Sequence, residues 1–315
     1  MKRKAIIFGI KGNKLSKKEK FLLKTEKPWG VILFSRNIAN LIQLKNLIKD
    51  IRKSIKDKNY PILIDVEGGR INRLKQIINL SLFSQNYFAK LYKRDKKYFN
   101  KNYKKYIDKV STILKTVGIN INTVPVLDVR RKNSHNIIGD RSFTDETKIV
   151  TKLGKLCIKL YNNNKIATVI KHIPGHGLAT TDSHFSASII KSKKSELIKK
   201  DFRTFKNCKS IFAMTAHIIY KAYDSTSTAT HSKIIIKDVI RKHIGFKGIL
   251  ISDDISMKAL NSGLEDNAVK ALDAGCNLVL HCNGDIKEMR KLIKIIPTID
   301  KFTQKKTSHF YKILG

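Results

Sequence analysis

Cysteine is scarce in this sequence, and the few cysteines are scattered. Four occur in 315 residues, at Cys157, Cys208, Cys276 and Cys282, and no two of them form a CxxC pair. This spacing argues against zinc knuckles and thiol redox motifs. We therefore expect the cysteines to be small core residues and the protein to lie in the reducing cytoplasm.

Long hydrophobic runs are missing as well. The apolar run at 5–10 is too short for a signal peptide and is ended by Lys11, and no stretch approaches the length that crosses a bilayer. With 42% hydrophobic residues the chain can nevertheless bury a sizeable core. We expect one domain over residues 1–315 without membrane insertion, since no linker, repeat or low-complexity block interrupts it.

Acidic residues are few, with 25 Asp and Glu against 64 Lys and Arg, which gives a formal net charge of +39. Such an excess is typical of nucleic-acid-binding proteins. The lysines, however, are spread along the whole chain, and neither an aromatic RNP run nor zinc-finger spacing occurs. Lys, Ile and Asn are abundant together, as A- and T-rich codons would produce. We predict a dispersed surface charge and no specific nucleic-acid partner.

Short apolar runs alternate with stretches of helical length. The candidate strands are 5–10, 31–34, 61–66, 121–126, 166–170, 210–214, 248–251 and 276–280. Helices are expected at 15–25, 41–55, 88–114, 146–162, 193–205, 257–272 and 286–314, the last with a break at Pro297. This alternation predicts an α/β fold, a single (β/α)8 TIM-type barrel. An open doubly wound sheet is the alternative, but no GxGxxG follows the first strand.

Charged and polar residues follow nearly every predicted strand. Examples are Asp65, Asp128, Lys171, His217 and Asp253, after strands three to seven in turn. In a parallel barrel the carboxyl ends of all strands open on one mouth, where TIM-barrel enzymes carry their active sites. The pattern therefore indicates an enzyme.

The stretch 166–184 concentrates titratable groups. A β-branched run leads to Lys171 and His172, and a loop broken by proline and glycine then carries His176, Asp182 and His184. The chain has nine histidines, and three of them lie here. A polar surface loop is the simpler interpretation, but a loop just past a strand is where α/β enzymes place catalytic groups.

A series of motifs resembles glycoside hydrolase family 3, in particular its single-domain bacterial β-N-acetylhexosaminidases, the cytoplasmic enzymes of peptidoglycan recycling. The motifs are IDVEGGRINRL, PVLDV, IGDRSF, KHIPGHG, TDSH, MTAH, GFKGILISDDISMKAL and AGCNLVLHCN. They follow one another from about residue 34 to residue 283, most of the chain. Each motif alone is weak evidence for the resemblance, but the order in which they occur is specific to this family.

The resemblance implies a retaining exo-β-N-acetylglucosaminidase. Asp253 matches the nucleophile that forms a glycosyl-enzyme intermediate. His184 matches the proton donor and acceptor, and Asp182 the carboxylate that orients it. The implied substrates are N-acetylglucosamine linked β-1,4 to anhydro-N-acetylmuramic acid, and the peptides of this disaccharide.

Further residues match the family's sugar-binding positions. These are Asp65, Arg73, Arg141, Lys171 and His172, which together offer the donors and acceptors that a hydroxyl-rich sugar needs. His176 and His217 also fit the pattern, in supporting roles. The resemblance implies no cofactor and no metal, and nothing in the sequence resembles an added dimerisation element, so a monomer is expected.

The sequence departs from the family pattern at a few positions. Val66 replaces a glutamine, Leu178 and Ala179 replace Asp-Thr in the histidine loop, and Asn277 replaces an aspartate.

Three alternatives stay open on sequence alone. The first is a β-N-acetylglucosaminide phosphorylase, because a histidine acid/base would repel phosphate less than a glutamate. The second is a zinc site formed by His172, His176, His184 and Asp182. The third is a catalytically impaired relative that binds sugar or RNA.

Overall fold

The computed structural model describes residues 2–131, 136–179, 181 and 186–315. Eight parallel strands form a closed barrel in these residues, with neighbours in the order β1-β8-β7-β6-β5-β4-β3-β2. The strands are β1 Lys4–Gly9, β2 Pro28–Leu33, β3 Ile62–Ile64, β4 Ile121–Asn122, β5 Ala167–Ile173, β6 Phe212–Thr215, β7 Ile249–Asp254 and β8 Leu278–His281. The predicted (β/α)8 barrel is confirmed, and the open doubly wound sheet is excluded.

Burial on both faces explains why these segments are strands. Almost every strand residue is inaccessible to solvent, as in Val31, Leu63, Val169 and Ile251. Strands covered on both sides read as continuous β-branched and aliphatic runs rather than as alternating patterns. β1 and β8 complete the ring through pairs such as Ile6 with Val279.

Helices surround the barrel. They are α1 Lys17–Glu26, α2 Leu41–Ile55, α3 Gln85–Arg94, α4 Lys96–Val117, α5 Thr147–Asn163, α6 Lys194–Lys199, α7 Leu264–Ala274, α8 Ile286–Ile295 and α9 Lys301–Leu314, with a π-helical segment at Ile235–His243. Ser16 caps the first helix in a capping box: its hydroxyl accepts from the Glu19 amide, and the Glu19 carboxylate accepts from the Ser16 amide. The break near Pro297 is also confirmed, between α8 and α9.

Three helix predictions were wrong in extent. Residues 88–114 belong to two helices, because Asp95 ends α3 and its carboxylate caps the Tyr98 amide at the start of α4. The helix expected at 193–205 stops at Lys199 and is followed by a 3-10 turn, Phe202–Phe205. The helix expected from residue 257 begins only at Leu264, since a loop follows β7.

The amino-terminal end of the barrel is covered by α9. Trp29 in β2, the only tryptophan of the chain, is fully buried there. Its ring centroid lies 5.5 Å from that of Phe212 in β6 and 6.5 Å from that of Phe310 in α9. The indole Nε1 donates to the Thr307 hydroxyl at 2.9 Å. The opposite mouth is left for the polar residues.

The four cysteines all lie in described residues and are free. Cys157 and Cys276 are core residues, as expected, but Cys282 lines the pocket at the polar mouth. Among the described residues, no helix has both the length and the apolar character needed to cross a membrane. That residues 1–315 form one domain stays a prediction.

Candidate active site

One pocket collects the polar strand ends. Of the predicted site residues it is lined by Asp65, Arg73, Arg141, Lys171, His172 and Asp253. They come from β5, β7 and the loops that follow β3 and β4. The two remaining predicted residues, Asp182 and His184, lie outside the described residues.

A buried ion-pair network forms one wall of this pocket. The Lys171 Nζ lies 3.0 Å from Asp65 Oδ1 and 2.7 Å from Glu67 Oε1. The Arg141 guanidinium binds Glu67 with two parallel hydrogen bonds of 2.8 and 2.9 Å. Arg73 approaches the other Asp65 oxygen at 3.6 Å. Each buried charge therefore has at least one opposite partner, which is the condition under which buried charges are tolerated.

The network keeps its carboxylates ionised. Burial alone would raise the pKa of Asp65, but Lys171 and Arg73 hold it far below its ordinary value. Burial likewise opposes ionisation of Glu67, yet Arg141 and Lys171 lower its pKa to about 2. Both groups therefore accept hydrogen bonds at neutral pH and cannot serve as proton donors.

Asp253 and Asp254 are neighbours at the end of β7 with different surroundings. The Asp254 carboxylate is occupied within its own loop: it accepts from the Ser256 amide at 3.1 Å, the Ser256 hydroxyl at 2.8 Å and the Cys282 amide at 3.3 Å. Asp253 accepts from the Asp254 amide at 2.8 Å. No helix begins at the Ser-Asp-Asp run, since the next one starts at Leu264, so neither aspartate is a helix cap.

Asp253 is held in its ionised form. Burial would raise its pKa, but His217, His172, the Asp254 amide and Lys171 together lower it. A carboxylate that is ionised, partly accessible and not committed to a turn suits a nucleophile.

His217 supports the end of β7. Its Nε2 lies 2.9 Å from the Asp254 carbonyl oxygen, which can only accept, so this nitrogen carries the proton. Its Nδ1 lies 2.7 Å from the Thr230 hydroxyl. Burial lowers the pKa of His217 below the usual 6.5, which favours the neutral ring. The histidine thus ties the strand that carries Asp253 to the loop after β6.

Asp128 organises the start of the histidine loop. Its Oδ1 accepts from the His176 amide at 2.7 Å and the His172 amide at 3.2 Å. Its Oδ2 lies 2.7 Å from His172 Nδ1. Burial and the neighbouring His172 lower the pKa of His176 to about 4, so that ring is neutral at pH 7. A single buried carboxylate therefore orients two of the loop's residues.

Two glycines in the motifs are required by the backbone. Gly68 has φ +86°, and a Cβ there would lie 2.1 Å from the Phe83 carbonyl oxygen. At Gly177 a Cβ would lie 1.8 Å from the Val129 carbonyl oxygen. The first glycine allows the tight hairpin that presents Glu67, and the second lets the histidine loop pack directly on the segment after β4.

Sequence reasoning assigned no role to two residues of this site, Glu67 and Asp128. Glu67 links Lys171 to Arg141, and Asp128 links His172 to His176. Both stand in motifs that were recognised, and Asp128 follows a predicted strand. Their position was therefore visible in the sequence, but the partners that define their roles come from distant segments.

The departures from the family pattern fall in apolar or structural positions. The Val66 and Ala179 side chains are buried, and Leu178 packs against the core. Asn277 Oδ1 accepts from the Leu250 amide and from Arg241, each at 2.8 Å, and it does not line the pocket. None of these residues removes a polar group from the described part of the pocket.

The alternative of a zinc site receives no support from the described residues. Within 2–131, 136–179, 181 and 186–315, no group of three or more His, Cys, Asp and Glu side chains is arranged to hold a metal ion. Two of the four proposed ligands, Asp182 and His184, lie outside these ranges.

Comparison with known proteins identifies relatives. Residues 4–309 match the N-terminal domain of glycosyl hydrolase family 3. The β-hexosaminidase of Haemophilus influenzae is 32% identical over 287 residues, which are 89% of this chain and 79% of that protein.

Solved structures agree with this match. NagZ from Neisseria gonorrhoeae, in complex with N-trifluoroacetyl-D-glucosamine, superposes with a TM-score of 0.88 at 28% identity, over 98% of this chain and 90% of that one. A family 3 β-N-acetylglucosaminidase from Paenibacillus shares the fold, with a TM-score of 0.84 at 23% identity over 98% of this chain and 60% of that chain.

Proposed function

Since the chain belongs to glycosyl hydrolase family 3 and is a glycoside hydrolase with a saccharide substrate, we propose that it is a retaining exo-β-N-acetylglucosaminidase. Its substrates are peptidoglycan turnover fragments, N-acetylglucosamine linked β-1,4 to anhydro-N-acetylmuramic acid and the peptides of this disaccharide. The β-hexosaminidases among its relatives support this choice of sugar. We place the enzyme in the cytoplasm, as a monomer.

In the proposed mechanism Asp253 attacks the anomeric carbon and forms a covalent glycosyl-enzyme, which water then hydrolyses. Asp65, Arg73, Arg141, Lys171 and His172 bind the hydroxyls of the sugar. The lowered pKa of Asp253 supports its role, because a nucleophilic carboxylate must be ionised before it attacks.

The protonation states of the carboxyl groups in the pocket support the proposal for the acid/base. Retaining glycosidases commonly use a second carboxyl group with a raised pKa as the acid. Among the described residues the other pocket carboxyls are Asp65, Glu67 and Asp254. The first two have lowered pKa values, and the third is bound to Ser256 and Cys282. A histidine acid/base, His184 oriented by Asp182, supplies the group that these carboxyls do not.

A second His–Asp pair competes for this role. His172 and Asp128 form one in the same pocket, with 2.7 Å between Nδ1 and Oδ2. Asp128 also accepts two backbone amides, which marks it as an anchor of the loop. We therefore assign His172 to sugar binding and His184 to proton transfer.

Hydrolysis is favoured over phosphorolysis by the pairing of the pocket's cations. Each described Arg or Lys that lines the pocket has a carboxylate partner: Arg70 with Asp140, Arg73 with Asp65, Arg141 with Glu67, and Lys171 with Asp65 and Glu67. Phosphate would have to compete with these carboxylates. Equal turnover in phosphate and in a neutral non-phosphate buffer, with free N-acetylglucosamine as product, is expected. A sugar 1-phosphate as the main product would establish the phosphorylase instead.

The decisive test is turnover of an aryl N-acetyl-β-glucosaminide by the wild type and by Asp253→Ala. Activity should be lost almost completely in that variant. Asp238→Ala is a matched control, because Asp238 is an exposed aspartate outside the pocket. A wild type that releases no phenol from the N-acetyl substrate but does so from an aryl β-glucoside would contradict the proposed sugar specificity.

A further inference from the structure

Arg73 is held in the pocket differently from Arg141, the other arginine assigned to sugar binding. Arg141 makes two hydrogen bonds to Glu67. Arg73 Nη2 lies 3.6 Å from Asp65 Oδ2, which is longer than a hydrogen bond, and its buried Nε has no hydrogen-bond partner among the described residues. The orientation of the Arg73 guanidinium therefore depends on a further contact.

That contact is the aromatic ring of Phe34, which follows β2 and lines the same pocket. The guanidinium carbon of Arg73 lies 5.4 Å from the centroid of this ring. A guanidinium within about 6 Å of an aromatic face is attracted by the quadrupole of the ring. This attraction does not occupy a hydrogen-bond donor as a carboxylate would, so the terminal N–H groups of Arg73 remain available to sugar hydroxyls.

The ring of Phe34 is itself fixed by the turn that carries it. The Phe34 amide donates to Asn37 Oδ1 at 2.8 Å, and the guanidinium carbon of Arg36 lies 4.7 Å from the ring centroid. Arg36 donates to the carbonyl oxygens of Ile10 and Cys282, which directly follow β1 and β8. The turn after β2 is thereby tied to the ends of two other strands and presents its ring from a fixed base.

The backbone of Arg73 is held by other contacts, so the ring acts on the side chain alone. The Arg73 amide donates to the Asp65 carbonyl oxygen at 3.1 Å, and the Arg73 carbonyl oxygen accepts from the Ser35 hydroxyl at 3.4 Å. Ordering a long arginine side chain costs conformational entropy. A protein that orders this side chain before the substrate arrives binds the substrate more tightly.

We propose that Phe34 is a positioning residue, which holds the Arg73 guanidinium where it donates hydrogen bonds to the sugar. The inference rests on the proposed function, which assigns Arg73 to sugar binding, and it adds a residue that acts through Arg73. Loss of the ring should allow Arg73 to change rotamer. Sugar binding should then weaken while the chemical step stays the same.

The kinetic test is Phe34→Leu, which keeps an apolar side chain but removes the aromatic face. On an aryl N-acetyl-β-glucosaminide we expect KM to rise about fivefold with kcat unchanged, as for the loss of one cation–π contact that acts equally before and during the reaction. Phe34→Tyr keeps the ring and should retain the wild-type KM. Phe21→Leu is the matched control, since Phe21 is exposed on α1 outside the pocket, and it should keep both constants.

A double-mutant cycle separates positioning of Arg73 from packing by Phe34. In an Arg73→Met background, Phe34→Leu should raise KM no further, because the cation on which the ring acts is absent. An equal rise in KM in both backgrounds would show that the ring only fills space or contacts the sugar, and it would overturn the positioning role. A fall in kcat at unchanged KM would overturn it as well.

Proton NMR of the arginine side chains tests the contact without turnover. The buried Nε–H of Arg73, assigned by its loss in Arg73→Met, should have a resonance displaced by the ring current of Phe34. The displacement should disappear in Phe34→Leu and persist in Phe34→Tyr. If it does so but the aryl N-acetyl-β-glucosaminide is not hydrolysed, the proposed function fails and the placement of Arg73 by Phe34 stands. The same resonance in the wild type and Phe34→Leu would overturn the positioning role, whatever the turnover.

Discussion

At the scale of single residues, the acid/base role can be separated from the nucleophile's role by the choice of leaving group. Asp253→Ala should lose nearly all activity on every substrate. His184→Ala should lose most activity on the natural disaccharide but retain more on an activated aryl glycoside, whose phenolate leaves without full protonation. Azide should partly rescue His184→Ala, since it attacks the intermediate without a base. Steady-state kinetics with both substrates measure this difference.

His172→Ala is the matched comparison for this experiment. We expect it to raise KM on both substrates without rescue by azide, because His172 is assigned to sugar binding. Asp182→Asn should fall between His184→Ala and the wild type. If His172→Ala shows the leaving-group dependence and the rescue instead, the pair His172–Asp128 is the acid/base.

Glu67 gives a prediction about stability. Glu67→Gln leaves Lys171 and Arg141 without their shared carboxylate, and breaking a buried ion pair on one side costs about 3–5 kcal/mol. The pKa of Glu67 is lowered from 4.5 to about 2. Its contribution is therefore fully present above pH 4.5 and is lost as the pH falls toward 2.

Urea unfolding of the wild type and Glu67→Gln at pH 7 and pH 3 measures this contribution. The difference in the free energy of unfolding should be smaller at pH 3. Glu265→Gln, at a surface glutamate 4.0 Å from Lys291, is the control and should change stability little at either pH. A difference that grows toward acid would contradict the assigned direction of the pKa shift.

Which residues gather at the mouth could be predicted from their place after each strand, as for Asp65, Lys171 and Asp253. Which residues contact one another could not. Glu67 directly follows a predicted strand, but its partners Lys171 and Arg141 lie 104 and 74 positions away in sequence. A pairing over such separations depends on strand order and loop path, and local sequence patterns contain neither.

At the scale of elements, the break between α3 and α4 depends on one side chain. Asp95 caps α4 by accepting from the Tyr98 amide at 2.9 Å. Asp95→Ala should lower the free energy of unfolding by about 1 kcal/mol, because it removes an N-cap acceptor. Asp95→Ser, which retains an acceptor, should lose much less. Denaturant unfolding of both variants tests this, and equal losses would show that the carboxylate acts in another way.

The wrong boundaries at 88–114 and 193–205 have different physical origins. Residues 88–114 contain neither proline nor glycine, so their composition predicts one helix. The break depends on the Asp95 cap, and an aspartate can also lie on the solvent-facing side of a continuous helix. At 193–205, Asp201 is buried and forms an ion pair of 2.6 Å with Arg131. That tertiary contact overrides the helix-forming composition after Lys199.

At the scale of the whole molecule, the net charge of +39 should act without specificity. Short duplex DNA should bind weakly at physiological salt, independently of sequence and with a steep decrease as salt rises. Fluorescence anisotropy with two unrelated duplexes measures this. Tight binding to one duplex but not to the other would contradict the dispersed-charge interpretation.

The burial of the only tryptophan has an optical consequence. Excitation at the red edge of the protein absorption selects a single indole, Trp29, which is packed between β6 and α9 and lies at the end of the barrel opposite the substrate pocket. Its emission should be blue-shifted in the native protein and insensitive to sugar in the pocket. Thr307→Val removes the acceptor of the indole N–H and should shift this emission without changing kcat/KM. The chain thus contains its own fluorescent reporter of α9 docking, which can follow unfolding from that end of the barrel while activity reports on the other.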